Sequence, residues 1–434
     1  MNPKQLLHAI ASFEKKNILV IGDIMLDKYT FGEVSRISPE APVPILRKTS
    51  EKFVPGGAGN VASNLASLGA SVELCGVVGN DHNRDVLFDI FNEQGITTKN
   101  ILVDTKRPTT FKHRFVSGVS HQLLRVDAEV TDELREEKNT LLTLVDNFIK
   151  DVDIVIFSDY AKGVFSEGLT KELIKIIKNA NKKIIADIKP EHKAFFKGVD
   201  MITPNIKEAK EMTGLTDIGE MGEKLIKYFG CDVLLTRSEE GMSLFAKNGT
   251  RKDFPTKKIR VFDVSGAGDT VVAAIALGIV GGLKLEDAVF LANYAGGVVV
   301  QQPGTKAITK EELQSAVQQE NHLEAVDVVP KVWGHEKWIE NNEKYCSKLL
   351  WLKSGYQCSL HYHKVKDEMF LITKGHVRLE IGDKIVHMRQ GNFVRIPPGT
   401  PHRFRGIEDS EILEVSTHHM EEDSYRLEES RKVE

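Results

Sequence analysis

The stretch Asp263-Val-Ser-Gly-Ala-Gly-Asp269-Thr270, followed by the apolar run Val271–Val280, decides how this chain is read. Small residues and a carboxylate open what reads as a buried helix. The first turn of a helix carries N–H groups without intrahelical partners, and it is the positive end of the helix dipole. It therefore suits a phosphate or a charged transition state. A carboxylate in the same turn can take the proton of a substrate hydroxyl. Taken alone, an ordinary capped turn would look the same, so the surrounding sequence has to discriminate.

Outward from that turn, residues 17–310 alternate short β-branched runs with amphipathic helical patterns. The strand candidates are Ile18–Ile21, Val72–Val77, Ile154–Ser158, Lys183–Ala186, Met201–Thr203 and Val233–Thr236. Helical stretches lie between them, at Gly59–Leu68, Asp81–Gln94, Thr170–Asn179 and Gly219–Phe229. Such alternation predicts an α/β fold, a parallel sheet with helices on both faces. Tyr29–Lys48 and Thr109–Val126 instead alternate polar and apolar residues and contain prolines, as exposed antiparallel strands do. They are expected to form a small β lid on the α/β body.

A last helix, Glu311–Gln319, runs into the polar stretch Glu320–Asp327. From Val328 the texture changes to short strands separated by glycines and prolines, and a helical period returns only in the last residues. Leu349–Leu352, Glu368–Thr373, His376–Ile381, Asn392–Ile396 and Glu411–Ser416 are strands of this kind, spaced as in an all-β barrel. The expected organisation is a domain over 1–319, a linker over 320–327 and a second domain over 328–434.

Composition narrows the function classes. The chain has 434 residues, 41% of them hydrophobic and 28% charged, which is ordinary for a globular protein with more than one core. A net charge of -4 supplies no basic field, so nucleic acid is not expected as a partner. Cys75, Cys231, Cys346 and Cys358 are widely spaced, with no Cys-x-x-Cys pair; a reducing, cytoplasmic compartment is expected, with no disulfide framework or thiolate zinc site. Met1–Lys16 has Leu6, Leu7, Ile10 and Phe13 on one helical face and lacks a signal-peptide core, and Val271–Val280 is glycine-interrupted, so no membrane span is expected.

Several further stretches accompany the opening turn: Gly22-Asp-Ile-Met-Leu-Asp27-Lys, Ser35-Arg-Ile-Ser-Pro-Glu-Ala-Pro-Val-Pro44, Pro55-Gly-Gly-Ala-Gly-Asn60-Val-Ala, Ser158-Asp-Tyr-Ala-Lys-Gly163, Thr203-Pro-Asn205-Ile-Lys-Glu208 and Thr236-Arg-Ser-Glu-Glu-Gly-Met-Ser243. With these, residues 17–310 resemble the ribokinase-like sugar kinases. Within that group they are most similar to the heptose-7-phosphate kinase domain of the bifunctional ADP-heptose synthesis proteins. The Gly56-Gly57…Asn60 and Gly-Ala-Gly-Asp signatures belong to the superfamily at large, whereas the Ser-Arg-Ile-Ser-Pro-Glu-Ala-Pro-Val-Pro run points to the heptose branch.

The resemblance implies roles that agree with the residue chemistry. Asp269 is the expected base, and the amides of Gly266, Ala267 and Gly268 are the expected anion hole for charge on the transferred phosphoryl group. Gly56 and Gly57 would let backbone approach the sugar, with Asn60 and Asp27 binding its hydroxyls. Arg36, Lys112, Arg114, Arg125 and Lys162 would grip a substrate phosphate, although each also reads as a solvated surface cation. Asn205 and Glu208, at i and i+3, would hold the hydrated Mg²⁺ of ATP. Lys189 would approach the phosphates, but its Asp187-Ile-Lys-Pro setting departs from the family's Asp-Pro-Lys-Gly. Thr236, Gly241 and Asn293 would lie along the nucleotide, with a packing role equally open for Asn293.

The implied reaction is ATP-dependent phosphorylation of the anomeric hydroxyl of D-glycero-D-manno-heptose 7-phosphate. The physics supports transfer to a sugar hydroxyl; the heptose comes from the resemblance, and another sugar phosphate such as fructose 1-phosphate stays open. Relatives of this kind usually carry a nucleotidyltransferase motif His-x-Gly-His, which is absent from these 434 residues. Adenylylation is therefore expected from another protein. Lid sheets in this superfamily often pair between subunits, so a homodimer is expected.

The second domain carries Gly355-x5-His361-x-His363-x4-Glu368-x6-Gly375 and then Gly391-x5-Pro397-x-Gly399-x2-His402. Alternate residues of a strand face one side, so His361 and His363 share a face, with Glu368 on the return strand and His402 on a separate hairpin. Three imidazoles and a carboxylate suit Zn²⁺, Mn²⁺, Fe²⁺ or Ni²⁺. These blocks resemble the cupins, and the order Trp333-Gly334…Ser359-Leu-His…Glu368…Pro398-Gly-Thr-Pro-His402-Arg403 is similar to type II phosphomannose isomerase. An aldose–ketose isomerase is expected, with Lys366 and Arg403 assisting, while a cupin that only binds sugar or regulates the kinase stays open.

Overall fold

The structure is a computed structural model and describes residues 3–118, 121–256, 264–301, 306–320 and 327–433. Asp263, the first residue of the opening turn, and most of the expected linker lie outside the described residues. The chain separates into two compact units, Met1–Asn321 and His322–Glu434.

The first unit is built on a nine-stranded sheet among the described residues. Its order is Arg251–Phe254, Met242–Phe245, Asp232–Thr236, Met201–Ile202, Lys183–Asp187, Ile154–Ser158, Asn17–Gly22, Ser71–Gly79 and Ile101–Asp104. Every pairing from Asp232–Thr236 to Ile101–Asp104 is parallel. The central strands are apolar at each position because both of their faces are covered. Ile18, Val20, Ile154 and Ile156 enter one core, while Leu19, Ile21, Val155 and Phe157 enter the other. Helices Pro3–Ala11, Ala58–Ser67, Ala267–Val280, Leu285–Val299 and Lys310–Glu320 supply the first core; Glu137–Phe148, Glu167–Asn179, Ile206–Thr213 and Ile218–Phe229 supply the second. Helix Ala267–Val280 is buried on all sides from Asp269 to Gly278, as apolar residues on every face of the helix require.

Helix ends follow local chemistry. Asp81, Ser166 and Asp217 accept the third helical N–H of their helices, and Gly230 ends Ile218–Phe229 in the left-handed conformation. The sequence pattern alone placed the helix that Ser166 caps three residues late, at Thr170. It also left out the antiparallel ribbon of Met242–Phe245 and Arg251–Phe254 at the sheet edge.

The lid is a four-stranded sheet in the order Pro44–Gly57, Ile24–Ile37, Thr110–Ser117, His121–Ala128. Each half is an antiparallel hairpin, but the halves meet through a parallel pairing of Ile24–Ile37 with Thr110–Ser117, which corrects the expectation of an antiparallel lid throughout. The reason is the route of the chain. Between the hairpins it passes through helix Ala58–Ser67, strand Ser71–Gly79 and helix His82–Glu93, a crossover that returns it in the same direction.

The second unit has two antiparallel sheets. One runs Asp327–Lys331, Gly334–Asn341, Cys346–Leu352, Ser410–Ser416, Glu368–Lys374, Phe393–Ile396. The other runs Lys384–Arg389, His376–Ile381, His402–Gly406, Tyr356–Gln357, Arg431–Lys432, with Leu360–Tyr362 and Tyr425–Glu428 alongside. Leu350, Leu352, Phe370, Ile372, Val377, Leu379, Phe404 and Ile412 fill the space between. The helical period expected at the C-terminus is not realised: apart from a single 3-10 turn at Glu421–Asp423, the last residues add strands to the second sheet.

Candidate active site

In the first unit the chemistry-bearing residues collect where the parallel strands end. Asp23 follows Asn17–Gly22, Asp159 and Tyr160 follow Ile154–Ser158, Asp187 ends Lys183–Asp187, Asn205 follows Met201–Ile202, and Thr236 ends its strand. Ligands of open α/β sheets bind at this edge.

Asp269 sits in the first turn of helix Ala267–Val280, 4% exposed. Its Oδ2 accepts from Asn60 Nδ2 at 2.7 Å and its Oδ1 from the Tyr160 hydroxyl at 2.9 Å. Burial pushes its carboxyl up to about 6, against the pull of these two donors. Asn60 thus lies on Asp269, whereas the sequence assigned it to sugar hydroxyls. Asn64, one turn on, donates to the Asn60 carbonyl and accepts from Thr270 Oγ1 and the Ile308 amide, locking the two helices together.

Gly266 caps the helix with φ 78°, and a side chain on Gly268 would enter open space, so this helix start is open to a ligand. The Ala267 N–H turns back to the Val264 carbonyl at 3.2 Å, leaving that member of the expected anion hole engaged within the turn. Gly57 has φ 57°, and a Cβ there would stand 2.4 Å from the Asp23 carbonyl oxygen; one at Gly56 would stand 2.5 Å from Asp27 Oδ2. The two glycines therefore permit close packing inside the site itself.

The parallel register aligns Asp27 with Lys112 and Tyr29 with Arg114, and the adjoining hairpin aligns Lys112 with Asp127 and Arg114 with Arg125. These charges share one face of the lid. Arg114 binds Asp27 at 2.6 Å, Arg125 binds Asp127 at 2.9 Å and Lys162 binds Glu129 at 2.9 Å. Lys112 has no ion-pair partner among the described residues; its ammonium lies 5.8 Å from the Tyr160 ring centre, and burial pulls its pKa down. Arg36 is exposed near the lid tip and is not brought to this group.

At the start of helix Ile206–Thr213, Asn205 and Glu208 form a reciprocal capping box. Asn205 Oδ1 accepts the Glu208 N–H, and Glu208 Oε2 accepts the Asn205 N–H, both at 3.0 Å. Glu208 Oε1 also pairs with Lys189 Nζ at 2.5 Å. The arrangement leaves carboxylate and amide oxygens at a helix start beside Asp187, whose carboxyl is raised well above the usual range by burial and by Glu208. Thr236 bridges to Asn205. Gly241 has φ 88°, with the Phe254 carbonyl 2.0 Å from where its Cβ would be. Asn293 is engaged structurally, bonding Thr256 Oγ1 and the Pro255 carbonyl.

Three residues of the site were given no role by the sequence: Tyr160, Asp23 and Asp187. Asp23 accepts the amides of Tyr160, Lys162 and Val164, and burial pushes its carboxyl up to about 6. All three stand at or just beyond strand ends, which was the signal available for finding them.

The second unit has a cavity of about 370 Å³ between its sheets, lined among others by His361, His363, Glu368, His402, Trp338 and Lys348. Each of the three histidines directs Nδ1 at a backbone carbonyl: Ser359 at 3.0 Å, Asp423 at 2.8 Å, Thr400 at 3.0 Å. A carbonyl only accepts, so Nδ1 carries the proton and the Nε2 lone pairs are free for other partners. His402 Nε2 is buried, 3.2 Å from Glu368 Oε2, and makes no hydrogen bond. Two acceptors facing each other in a buried site fit an intervening cation, and the carbonyl-anchored imidazoles are the usual support for metal-binding nitrogens. As the side chains stand, no three His, Cys, Asp or Glu among the described residues close on one metal position. A cation already occupies part of the set, since Lys366 Nζ binds Glu368 Oε1 at 2.8 Å and also Glu414. Burial would raise the Glu368 carboxyl, yet the Lys366 ammonium against it holds it far below the usual range. Arg403 also lines the cavity, with its guanidinium paired to Glu380 and Glu428.

Residues 15–312 match the pfkB family carbohydrate kinase model, and residues 350–416 match the cupin domain model. The chain is 42% identical over 316 residues to the Bifunctional protein HldE of Azorhizobium caulinodans, covering 71% of this chain and 66% of that protein. A second relative of the same name, from Desulfatibacillum aliphaticivorans, is 39% identical, covering 71% of this chain and 64% of its own length. The chain thus spans somewhat less than two-thirds of these relatives. Among solved structures, the ribokinases of Thermotoga maritima and Arabidopsis thaliana, the latter complexed with ribose and ATP, share the fold of the first unit. Each has a TM-score of 0.57 and covers 70% of this chain and 99% of its own, at 23% and 18% identity respectively.

Proposed function

Residues 15–312 make this chain a member of the pfkB family of carbohydrate kinases, and we propose that its acceptor is the anomeric hydroxyl of D-glycero-D-manno-heptose 7-phosphate. The reaction would yield the 1,7-bisphosphate and ADP. Asp269 takes the acceptor proton as the oxygen attacks the γ-phosphorus, and the open helix start at Gly266–Gly268 faces the charge that develops. The Asn205–Glu208 helix start would hold the Mg²⁺ of the nucleotide, which supplies charge neutralisation, with Lys189 beside it. The observation that carries the acceptor reading is Lys112, a half-buried lid cation without an ion-pair partner among the described residues, next to Asp27 and across from Tyr160. It offers a place for a substrate phosphate remote from the reacting hydroxyl. The similarity to the HldE proteins supports a sugar kinase of heptose biosynthesis. A lid with Ile37, Leu124 and Val126 exposed suits a homodimer, and the composition suits the cytoplasm.

The test is ADP release with heptose 7-phosphate against fructose 1-phosphate, fructose 6-phosphate and unphosphorylated sugars. Heptose 7-phosphate should lead by at least about 100-fold in kcat/KM, the discrimination expected when a built polar subsite is left unfilled. An equal or greater rate with a hexose phosphate would overturn the heptose assignment and leave a kinase for another sugar phosphate.

For the cupin we propose a divalent metal on His361, His363, His402 and Glu368 and a sugar-phosphate isomerase activity like that of type II phosphomannose isomerase. The buried, unpartnered His402 Nε2 supports the metal. The alternative is a cupin that only binds sugar or regulates the kinase. Metal analysis of the purified chain, with NMR of aldose–ketose exchange, separates these: metal without turnover of any phosphosugar favours binding.

A further inference from the structure

We propose that Tyr160 is the positioning residue of the kinase site: its hydroxyl fixes the plane of the Asp269 carboxylate, and its ring holds the lid lysine and the nucleotide-side lysine on opposite flanks of that base. The inference rests on the carbohydrate-kinase assignment and on no particular sugar.

The geometry is specific. Asp269 is held from two elements at once, by Asn60 on helix Ala58–Ser67 and by Tyr160 on the loop after strand Ile154–Ser158. With one donor on each oxygen, the carboxylate cannot rotate about its Cβ–Cγ bond. Its remaining lone pairs stay free for the acceptor hydroxyl, since a carboxylate takes about four hydrogen bonds. In the transfer step the acceptor O–H proton passes to Asp269, the new O–P bond forms, and the bond from Pγ to the bridging oxygen breaks with its electrons leaving on ADP. Tyr160 exchanges no proton in that step; it sets direction.

The residue is itself rigidly seated. Its N–H donates to Asp23 Oδ2 at 2.7 Å, and the Lys162 and Val164 amides bind the same carboxylate. Ala161 has φ 53°, unusual for a residue with a side chain, and its N–H is held by Asp159 Oδ1 at 2.8 Å. Asp159 is fixed in turn by His192 Nδ1 and the Lys189 N–H. Such over-determined seating is what a group that aims another requires. On the ring, Lys112 Nζ stands 5.8 Å and Lys189 Nζ 5.1 Å from the centre, one from the lid and one from beside Glu208. A Cβ at Gly57 would lie 3.4 Å from the ring, so the lid backbone packs directly on it.

The groups facing Asp269 are Asn60, Tyr160, the carboxylates Asp27 and Asp187, and the Lys189 ammonium. Removing the Tyr160 hydroxyl deletes a donor that favours the ionised base, while the two carboxylates continue to oppose ionisation. Tyr160→Phe keeps the ring and both cation contacts. On the sugar that the parent enzyme prefers, we expect kcat to fall at least about tenfold with the KM for ATP unchanged. The acid limb of the kcat/KM–pH profile should move to higher pH by half a unit or more. Tyr160→Leu, which loses the ring as well, should also raise the KM for both substrates. A Tyr160→Phe protein with a lowered melting temperature but the parent's kcat and acid limb would make Tyr160 structural only and overturn the proposal. Should Tyr160→Phe not fold, 3-fluorotyrosine in place of Tyr160 keeps size and hydroxyl but strengthens the donor, and the acid limb should move to lower pH; an unmoved limb overturns the proposal equally. The parent's substrate panel fails or succeeds independently of these ratios, so the heptose reading and the role of Tyr160 are judged separately.

Discussion

Asp269, the proposed base, is buried, and the same burial that tunes it makes it a stability liability. Its folded carboxyl, at about 6, holds the proton more tightly than in the unfolded chain, where the ordinary value is 3.8. The sign follows by linkage: this contribution to stability is fully present below about pH 4 and is lost as pH rises through 6. The base, however, works only when ionised, so activity should fall about tenfold per unit below pH 6. Asp269→Asn removes the titration. It should lower kcat by about 100- to 10,000-fold, the usual share of a general base. Measured by thermal melts against the parent, the variant should gain relative stability as pH goes from 4.5 to 7.5, by up to about 3 kcal/mol for a two-unit shift. A stability difference that stays flat across that range would show that the carboxyl does not titrate as described.

At the scale of elements, the start of helix Ile206–Thr213 does two jobs. The capping box satisfies the helix N-terminus, and its outer oxygens are the ones proposed for the nucleotide's metal. Asn205→Ala should therefore cost about 1 kcal/mol of stability through the lost cap and, separately, raise the KM for ATP. Excess Mg²⁺ should recover part of the KM effect and none of the melting temperature. If KM and melting temperature recover together, the cap alone accounts for the loss. This doubling also shows what a sequence makes legible. The Asn-x-x-Glu spacing and the Gly-Ala-Gly-Asp turn are local, so their helix starts were readable from composition and order. The buried strands were readable because both of their faces are apolar. The parallel joint of the lid was not, since the path between the hairpins decides it and no local pattern records that path. Nor was Asn60 on Asp269, or Tyr160 beside it: these contacts span 209 and 109 residues and depend on how two helices and a loop meet. In the second unit His361 and His363 were legible from alternation and His402 from the Gly391–His402 block, but the claim of Lys366 on Glu368 was not, because it requires knowing that both are buried together with Glu414.

At the scale of the whole molecule, two units with separate cores should unfold as separate cooperative blocks. Calorimetry of the full chain should show two transitions, one raised by Mg²⁺ with ATP and the other by Zn²⁺ or Mn²⁺ without nucleotide. Each shift should correspond to about 2.7 kcal/mol at a hundredfold excess over Kd. One transition moved by both ligands would contradict independent cores. Within the first unit, the buried body strand Asn17–Gly22 continues through Asp23 alone into the 14-residue lid strand Ile24–Ile37. That strand is a lever arm about 46 Å long at about 3.3 Å per residue, with its fulcrum on a carboxylate clamped by the Tyr160 loop. A tilt of about 10° would sweep its tip through about 8 Å at that rise per residue while leaving the fulcrum still. Large excursions at the rim would thus be geared down to nearly nothing at Asp23, and the proposed base Asp269 would be insulated from movement of the lid.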